Sequence, residues 1–223
     1  NCDLLISGGG SLLQDMTSTR SLLYYLTVIK IGLKYNKKIM LYANGIGPIN
    51  SPTNARRVKK VIDKVALITL REEESLNALK KMGVEKPRII VTADPVLTTM
   101  PVEKDKVDAI FDKEGIPKDS KFIGVNIRKW KLSKDLEAQL ATSLEYIYHT
   151  YNLMPIFIPM YQSDTEVMLK TAEMMTVPYR ILSKTYDPEE LIGIMGRMDF
   201  VIAMRLHTLI YSSITSTPML GLI

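Results

Sequence analysis

The amino-acid sequence predicts an α/β protein built from two Rossmann-like lobes. Short apolar runs alternate with segments of helical periodicity, a pattern typical of parallel sheets connected by helices. This alternation stops between Thr98 and Lys121, where Pro, Lys and Asp dominate, and then starts again. We therefore predict one lobe over residues 1–100 and a second lobe over residues 101–223.

In the first lobe, apolar runs predict four strands and periodic segments predict three helices. The strands are predicted over 3–6, 38–43, 66–70 and 88–92, and the helices over 19–35, 51–64 and 69–82. Ser51-Pro52 is typical of an N-cap followed by proline in the first turn. Thr69 and Glu72 have the spacing of a capping box, and Gly83 is expected to end the third helix.

In the second lobe the same reasoning predicts five strands and the helices between them. The strands are predicted over 122–127, 155–158, 179–182 and 200–204, with a final strand that begins at 219. The helices are predicted over 106–112, 133–151 and 164–175, followed by one that begins at 187 and one that ends near 213. Asp187-Pro188-Glu189-Glu190 is a strong helix start. In the helix capped by Ser133, one apolar face is predicted from Leu136, Leu140, Leu144, Ile147 and Tyr151. Both ends of the chain are apolar runs that resemble interrupted strands, so we expect a fragment truncated at both ends.

Composition excludes several classes of protein. The 223 residues include a single cysteine, Cys2, so an intrachain disulfide cannot form and a reducing, cytoplasmic setting is expected. The net charge of +5 favours an anionic ligand, but no basic stripe interleaved with aromatics indicates nucleic acid. The longest apolar segment, 21–35, contains Lys30 and Lys34 and is interpreted as a buried helix rather than a membrane span.

Glycines and polar residues follow the first two predicted strands. Gly8, Gly9 and Gly10 are more than a tight turn needs, so we expect ligand contact there, with Asp15 close behind. The run matches neither G-x-G-x-x-G nor the P-loop, which argues against those kinds of nucleotide binding. Asn44 precedes a second glycine-rich turn; it could bind a sugar hydroxyl, or the turn could simply need unusual backbone angles.

Arginines follow two further predicted strands. Arg71 opens a helix, where a cation is unfavourable unless the acidic residues after it compensate or an anionic ligand binds. Arg128 lies next to Lys129 and Lys131, a cluster that suits either an anion or a solvated loop. The single tryptophan, Trp130, could line a sugar site or cap the core.

Arg205-Leu206-His207 is the sharpest signal in the sequence. In an extended segment residues two apart point the same way, so Arg205 and His207 are expected to share a face at a strand end. Arginine grips phosphate or carboxylate, and histidine exchanges protons near neutral pH. The other histidine, His149, is predicted to be a surface residue, and no metal-ligand spacing is present.

Taken together, five segments resemble the polysaccharide pyruvyltransferase family, particularly bacterial members that modify cell-wall polymers. They are Ile6 to Asp15, Asn44-Gly45-Ile46-Gly47-Pro48, Arg71-Glu72-Glu73-Glu74-Ser75, Thr92-Ala93-Asp94-Pro95 and Met204-Arg205-Leu206-His207. The resemblance implies a glycosyltransferase-B-like fold and transfer of pyruvate from phosphoenolpyruvate to a sugar as a ketal.

The resemblance also implies roles for particular residues. It assigns the donor site to Arg71, Arg205, Leu206 and His207, and we add Arg128 as a further cation. His207 is the expected catalytic acid and base. The first lobe would hold the acceptor through Gly9, Gly10, Asp15 and Asn44.

The expected partners are phosphoenolpyruvate, as donor substrate, and a lipid-linked sugar acceptor. No cofactor, metal or nucleic acid is expected. A lipid-linked acceptor would draw the enzyme to the inner face of the membrane. Two other interpretations stay open: a nucleotide-sugar-dependent glycosyltransferase of the same fold, and a non-catalytic module that binds phosphate or sugar.

Overall fold

A computed structural model describes residues 2–129 and 135–222 as two compact units. One unit ends at Pro95 and the other begins at Val96, five residues before the boundary predicted from the sequence, between residues 100 and 101. Each unit is an open parallel sheet with helices connecting its strands, so the predicted α/β class with two parallel sheets is confirmed.

In the part of the first unit that the structure describes, four strands and three helices alternate along the chain. They are β1 (Leu4–Gly8), α1 (Thr19–Lys34), β2 (Lys38–Asn44), α2 (Pro52–Ile62), β3 (Leu67–Leu70), α3 (Glu73–Lys81) and β4 (Arg88–Val91). The strands lie in the order β1-β2-β3-β4 and all pair in parallel. The carboxyl ends of these strands therefore meet at one edge of the sheet, where the predicted functional residues follow.

Two helix starts in this unit were predicted correctly and one was not. Helix α1 begins at Thr19, as predicted. Ser51 caps α2 by accepting a hydrogen bond from the Asn54 amide, and Pro52 is in the first turn. The capping box at Thr69 is wrong, because Thr69 lies in β3 and its hydroxyl accepts the backbone N–H of Ala43 at 2.7 Å. Helix α3 begins only at Glu73.

Over its described residues, the second unit contains five strands and five helices. They are α4 (Lys104–Glu114), β5 (Lys121–Asn126), α5 (Leu136–Tyr151), β6 (Leu153–Phe157), α6 (Thr165–Ala172), β7 (Arg180–Ile181), α7 (Pro188–Met195), β8 (Phe200–Ala203), α8 (Leu206–Ile214) and β9 (Met219–Gly221). A short 3-10 turn, Gln162–Asp164, precedes α6. The capping box at the start of α7 is confirmed, since the Asp187 N–H donates to Glu190 at 3.1 Å.

The apolar face predicted for α5 is right only in its central turns. Leu140 and Leu144 are buried, but Tyr151 is 59% exposed because it ends the helix beyond the core. The proposed cap, Ser133, lies outside the described residues.

The strand order of the second sheet reverses direction at its centre. The strands lie in the order β7-β6-β5-β8-β9 and all pair in parallel. After β5 the chain adds β6 and β7 on one side, and it then returns to add β8 and β9 on the other side of β5. Apolar clusters cover both faces of this sheet. At such a switch point neighbouring connections leave in opposite directions, which opens a crevice at the carboxyl ends of β5 and β8.

Candidate functional site

A cavity of about 600 Å³ lies at this crevice, and four predicted donor residues line it. Arg128 follows β5, while Arg205, Leu206 and His207 follow β8. Because β5 and β8 are neighbours, the fold brings together residues that lie almost 80 positions apart in sequence. The structure thus places two arginines and a histidine around one cavity.

The guanidinium of Arg205 is held by a buried carboxylate. Its Nε and Nη2 atoms donate to the two oxygens of Asp164 at 2.8 and 2.5 Å, and Asp164 is only 1% exposed. The same carboxylate accepts the backbone N–H groups of Met160 and Tyr161. Two parallel hydrogen bonds restrict a guanidinium far more than one would, so Asp164 fixes the orientation of Arg205.

Two more contacts hold this arginine in place. The Tyr161 ring centroid lies 4.4 Å from the Arg205 Cζ atom, a cation–π distance. The backbone N–H of Arg205 donates to the side chain of Asn126, whose amide in turn donates to the Ile158 carbonyl at 2.9 Å. Arg205 is therefore held rigidly while its opposite edge, with Nη1, has no partner among the residues that the structure describes.

His207 reaches the cavity in a different way from the one predicted. The extended segment ends early: Arg205 is the N-cap of α8, and His207 is the second residue of that helix. Both still line the cavity. The His207 ring is half-buried, lies 6.3 Å from the Tyr211 ring, and makes no hydrogen bond within the described ranges.

Two helix starts border the cavity. Pro188 begins α7 and Leu206 begins α8, and both residues line it. The first N–H groups of a helix have no acceptor within the helix and carry partial positive charge. No acidic residue occupies the first turn of α8, so this helix start can interact with an anion.

A hydrogen-bonded group of three residues holds Tyr186, which lines the cavity. The hydroxyls of Tyr186 and Ser183 both donate to Glu114. Burial would raise the pKa of Glu114, but these hydrogen bonds outweigh it and lower the pKa below its ordinary value of 4.5. Burial and the Glu114 carboxylate raise the pKa of Tyr186 well above 10, so this tyrosine stays a neutral donor.

Arg71 belongs to the first unit and is fully engaged there. Its Nη1 donates to Asp94 and its Nε to Glu72, both at 3.0 Å, while Nη2 donates to the Ser11 hydroxyl at 3.2 Å. The compensation by neighbouring acids that the sequence allowed is thus present. Its role in donor binding stays a prediction.

The glycine-rich loops of this unit serve two purposes. Gly9 and Gly10 have positive φ angles of 76° and 67°, and a Cβ atom at either would meet nothing within 4 Å, so both border open space. A Cβ at Gly45 would lie 2.5 Å from the Ser11 hydroxyl and 2.9 Å from Glu72. Gly45 is therefore needed for the close packing around Arg71.

The carboxylate of Asp15 accepts hydrogen bonds from other residues of the first unit. It accepts the backbone N–H groups of Asn50 and Ser51 and the side-chain amide of Asn54. These hydrogen bonds, that from Asn54 foremost, lower the pKa of Asp15. Asp15 thus secures the segment before α2.

Asn44 ends β2 with an amide that is buried and unsatisfied. The residue is 1% exposed, and neither its Oδ1 nor its Nδ2 atom has a hydrogen-bond partner in the described part of the chain. Such orphaned buried polar groups are rare and costly, and they often mark a functional position.

The remaining predictions concern metals, membranes and two aromatic or imidazole side chains. Across residues 2–129 and 135–222, no group of three or more His, Cys, Asp or Glu residues is arranged to hold a metal ion. No helix in these ranges has the length and apolarity to cross a membrane. His149 is exposed, as predicted. Trp130 and Lys131 lie outside the described residues.

Sequence comparison decides the family. The model of the polysaccharide pyruvyl transferase family matches residues 1–223. The chain belongs to this family. A comparison with curated proteins gives no match.

Solved structures similar to this pyruvyl transferase family member share its fold. S. aureus MnaA, solved with UDP, is 16% identical, with 99% of this chain and 58% of that one covered at a TM-score of 0.67. The UDP-GlcNAc 2-epimerases of Methanocaldococcus jannaschii and Neisseria meningitidis, each 13% identical, cover 99% of this chain and 61% and 59% of their own, with TM-scores of 0.66 and 0.61. These similarities confirm a glycosyltransferase-B-like fold. The chain spans about three fifths of the length of these proteins.

Sequence reasoning missed the residues that support the cavity. Asp164 was interpreted only as a helix start, although it holds Arg205, 41 positions away. Glu114 and Tyr186 were not singled out at all. A buried carboxylate near a strand end is one signal that could have drawn attention to Asp164, but its partner depends on the strand order.

Proposed function

We propose that this protein transfers pyruvate from phosphoenolpyruvate to a sugar of a cell-surface polysaccharide precursor, forming a ketal. Membership of the polysaccharide pyruvyl transferase family supports the class of reaction. The observation that carries the proposal is the cavity at the switch point, which Arg128, Arg205 and His207 line together. Its volume exceeds that of phosphoenolpyruvate, which leaves space for an acceptor hydroxyl.

Charge is the first argument for this donor. Phosphoenolpyruvate carries a carboxylate and a phosphate, and the cavity presents two guanidinium groups and the start of α8. Asp164 cancels part of the Arg205 charge, but it also holds the guanidinium ready, so binding costs little side-chain ordering. A preorganised cation of this kind stabilises charge that develops during the reaction.

His207 would move the protons. In the first step a proton is added to the methylene carbon of the enol, and a sugar hydroxyl forms a bond to the neighbouring carbon while losing its own proton. In the second step another hydroxyl of the sugar attacks that carbon, loses its proton, and phosphate leaves with the bridging oxygen. The products are the pyruvate ketal and inorganic phosphate, and His207 can donate the first proton and accept a later one.

The first unit would bind the acceptor. Gly9 and Gly10 leave open space at the end of β1, and Asn44 offers an amide whose two polar atoms have no described partner. Asp15 would act by holding the loop before α2. Arg71, held by Asp94 and Glu72, is the cation of this unit that the proposal assigns to the donor.

The proposal places the enzyme in the cytoplasm, since phosphoenolpyruvate is a cytoplasmic metabolite, and gives it a lipid-linked acceptor. The test uses full-length protein, phosphoenolpyruvate and candidate lipid-linked disaccharides. We expect phosphate release and a mass gain of the acceptor that corresponds to one pyruvate ketal. Intact phosphoenolpyruvate with every acceptor would favour a non-catalytic binding module.

A nucleotide-sugar glycosyltransferase is the second candidate. It is favoured by one observation, namely that structures sharing this fold were solved with UDP or UDP-GlcNAc. Thermal-shift measurements with phosphoenolpyruvate, UDP-sugars and GDP-sugars separate the two functions. Stabilisation by phosphoenolpyruvate is expected, and stabilisation by nucleotides alone would support the second candidate.

A further inference from the structure

The positive charge of the chain is concentrated in one segment. Residues 16–64 contain ten Lys and Arg residues and a single acid, Asp63, a net charge of +9. The whole chain carries only +5, so the rest of it is net negative. This segment includes α1 and α2, so the outer surfaces of these two helices create a local positive electrostatic potential.

A groove between α1 and α2 gathers half of these cations. It has a volume of about 520 Å³, and its cationic lining residues are Lys30, Lys34, Arg57, Lys60 and Lys64. Leu33 and Val61 provide apolar lining, and no acidic residue lines the groove. We call this site the basic groove.

The five cations of the basic groove are not neutralised by carboxylates. None of them forms an ion pair within residues 2–129 and 135–222, whereas the neighbouring Lys59 pairs with Asp63 at 2.8 Å. Helical spacing brings Lys30 and Lys34 of α1 to the groove together, because they are four residues apart. Lys60 lies in the last turn of α2 and Lys64 follows the end of that helix, and both also line the groove. Five like charges held together repel one another, an arrangement that an anionic partner would relieve.

An exposed apolar stripe lies on the same helix α1. Tyr24 and Tyr35 are each 65% exposed, and Ile31 is 52% exposed. Their spacing of seven and four residues places them on one side of α1, away from the buried Leu22, Leu26 and Ile29. Tyrosines and aliphatic side chains beside lysines are typical of surfaces that rest at the boundary between lipid headgroups and acyl chains.

We propose that the basic groove and the adjoining stripe of Tyr24, Ile31 and Tyr35 form a docking surface for an anionic membrane. Lysines and arginines would contact the phosphates of acidic lipid headgroups, and the stripe would enter the interfacial layer. Nucleic acid is the less favoured partner, because the lining of the groove between the cations is aliphatic, and the exposed rings of Tyr24 and Tyr35 lie outside that lining. The inference adds a partner to the proposed function but rests on charge and exposure alone.

The test measures binding of full-length protein to vesicles by co-sedimentation. Vesicles of phosphatidylcholine alone are compared with vesicles that also contain phosphatidylglycerol. We expect binding only to the anionic vesicles, weakened by added salt. Binding to duplex or single-stranded DNA without vesicle binding would overturn the proposal.

Two matched triple variants localise the surface. Lys34→Gln/Lys60→Gln/Lys64→Gln removes three groove cations, and a loss of about 1 kcal/mol per cation predicts roughly 100-fold weaker vesicle binding. Lys80→Gln/Lys86→Gln/Lys121→Gln removes three exposed lysines elsewhere and is expected to bind like wild type. Equal losses in both variants would overturn the assignment of the groove.

A third variant tests the apolar stripe, and an activity control separates the two proposals. Tyr24→Ser/Tyr35→Ser is expected to retain low-salt binding but to lose the binding that survives at high salt. Phosphate release with a water-soluble acceptor should be unchanged in every one of these variants. Vesicle binding without any phosphate release would leave the docking surface standing and count against pyruvyl transfer alone.

Discussion

The buried carboxylate of Asp164 holds the guanidinium of Arg205 through two hydrogen bonds, directly beside the cavity that His207 also lines. The carboxylate of Asp164 accepts four hydrogen bonds, two of them from Arg205. Because Asp164 is only 1% exposed, it cannot readily exchange these bonds for bonds to water. The arginine, by contrast, lines the cavity, and its Nη1 atom has no partner in the described part of the chain. Asp164 is therefore a positioning residue, because it acts on the cavity through Arg205.

A double-mutant cycle tests this pair. Asp164→Ala is expected to lower the free energy of unfolding by about 3 kcal/mol, because it leaves Arg205 without its counter-charge. Arg205→Ala leaves a buried carboxylate and should cost a similar amount. The double variant should cost about 2 kcal/mol less than the two single losses together, measured by denaturant unfolding. Strict additivity would show that the pair contributes no coupling.

The pair also illustrates what the sequence could and could not predict. Local signals such as Ser51-Pro52 and Asp187-Pro188 predicted helix starts, because capping depends on residues within one turn. Thr69 was misinterpreted since its hydroxyl serves a neighbouring strand 26 residues away. Arg128 and Arg205 line the same cavity because β8 lies next to β5, which no local pattern reveals.

The lowered pKa of Glu114 predicts how the free energy of unfolding changes at acid pH. The folded state holds the pKa of Glu114 below 4.5, so its ionised form stabilises the protein above that pH, and the contribution is lost as pH falls through the folded pKa. Glu114→Gln should lower the free energy of unfolding by about 2 kcal/mol at pH 7, because hydrogen bonds to a charged acceptor are lost. The difference from wild type should shrink below pH 4.5.

The control for this variant is Glu85→Gln, which changes an exposed glutamate of the first unit. Its unfolding profile against pH should match that of wild type. A difference between Glu114→Gln and wild type that stayed constant from pH 7 to pH 3 would contradict the account.

A substitution at Asn44 tests protein stability and acceptor binding separately. Asn44→Leu replaces a buried, unsatisfied amide with an apolar side chain of similar size, so the free energy of unfolding should stay the same or rise by about 1 kcal/mol. If the amide binds the acceptor, the KM for the acceptor should rise at least tenfold while the KM for phosphoenolpyruvate stays unchanged. An unaltered acceptor KM would remove Asn44 from the acceptor site.

His207 is expected to contribute to kcat rather than to donor binding. His207→Ala should lower phosphate release by about 10²- to 10⁴-fold, because it removes the proposed acid and base. His149→Ala is the matched control, since His149 is exposed on α5, and its rate should equal that of wild type. Full activity of His207→Ala would end its catalytic assignment.

The most direct measurement is calorimetric titration of full-length wild type and Arg205→Lys with phosphoenolpyruvate. The substitution keeps a positive charge near Asp164 but removes the planar fork that can face the carboxylate and the donor at once. The account predicts that wild type binds phosphoenolpyruvate and that Arg205→Lys binds it at least tenfold more weakly while remaining folded. Equal affinity in both proteins, or binding of UDP but not of phosphoenolpyruvate, would contradict the claim that this cavity is the donor site.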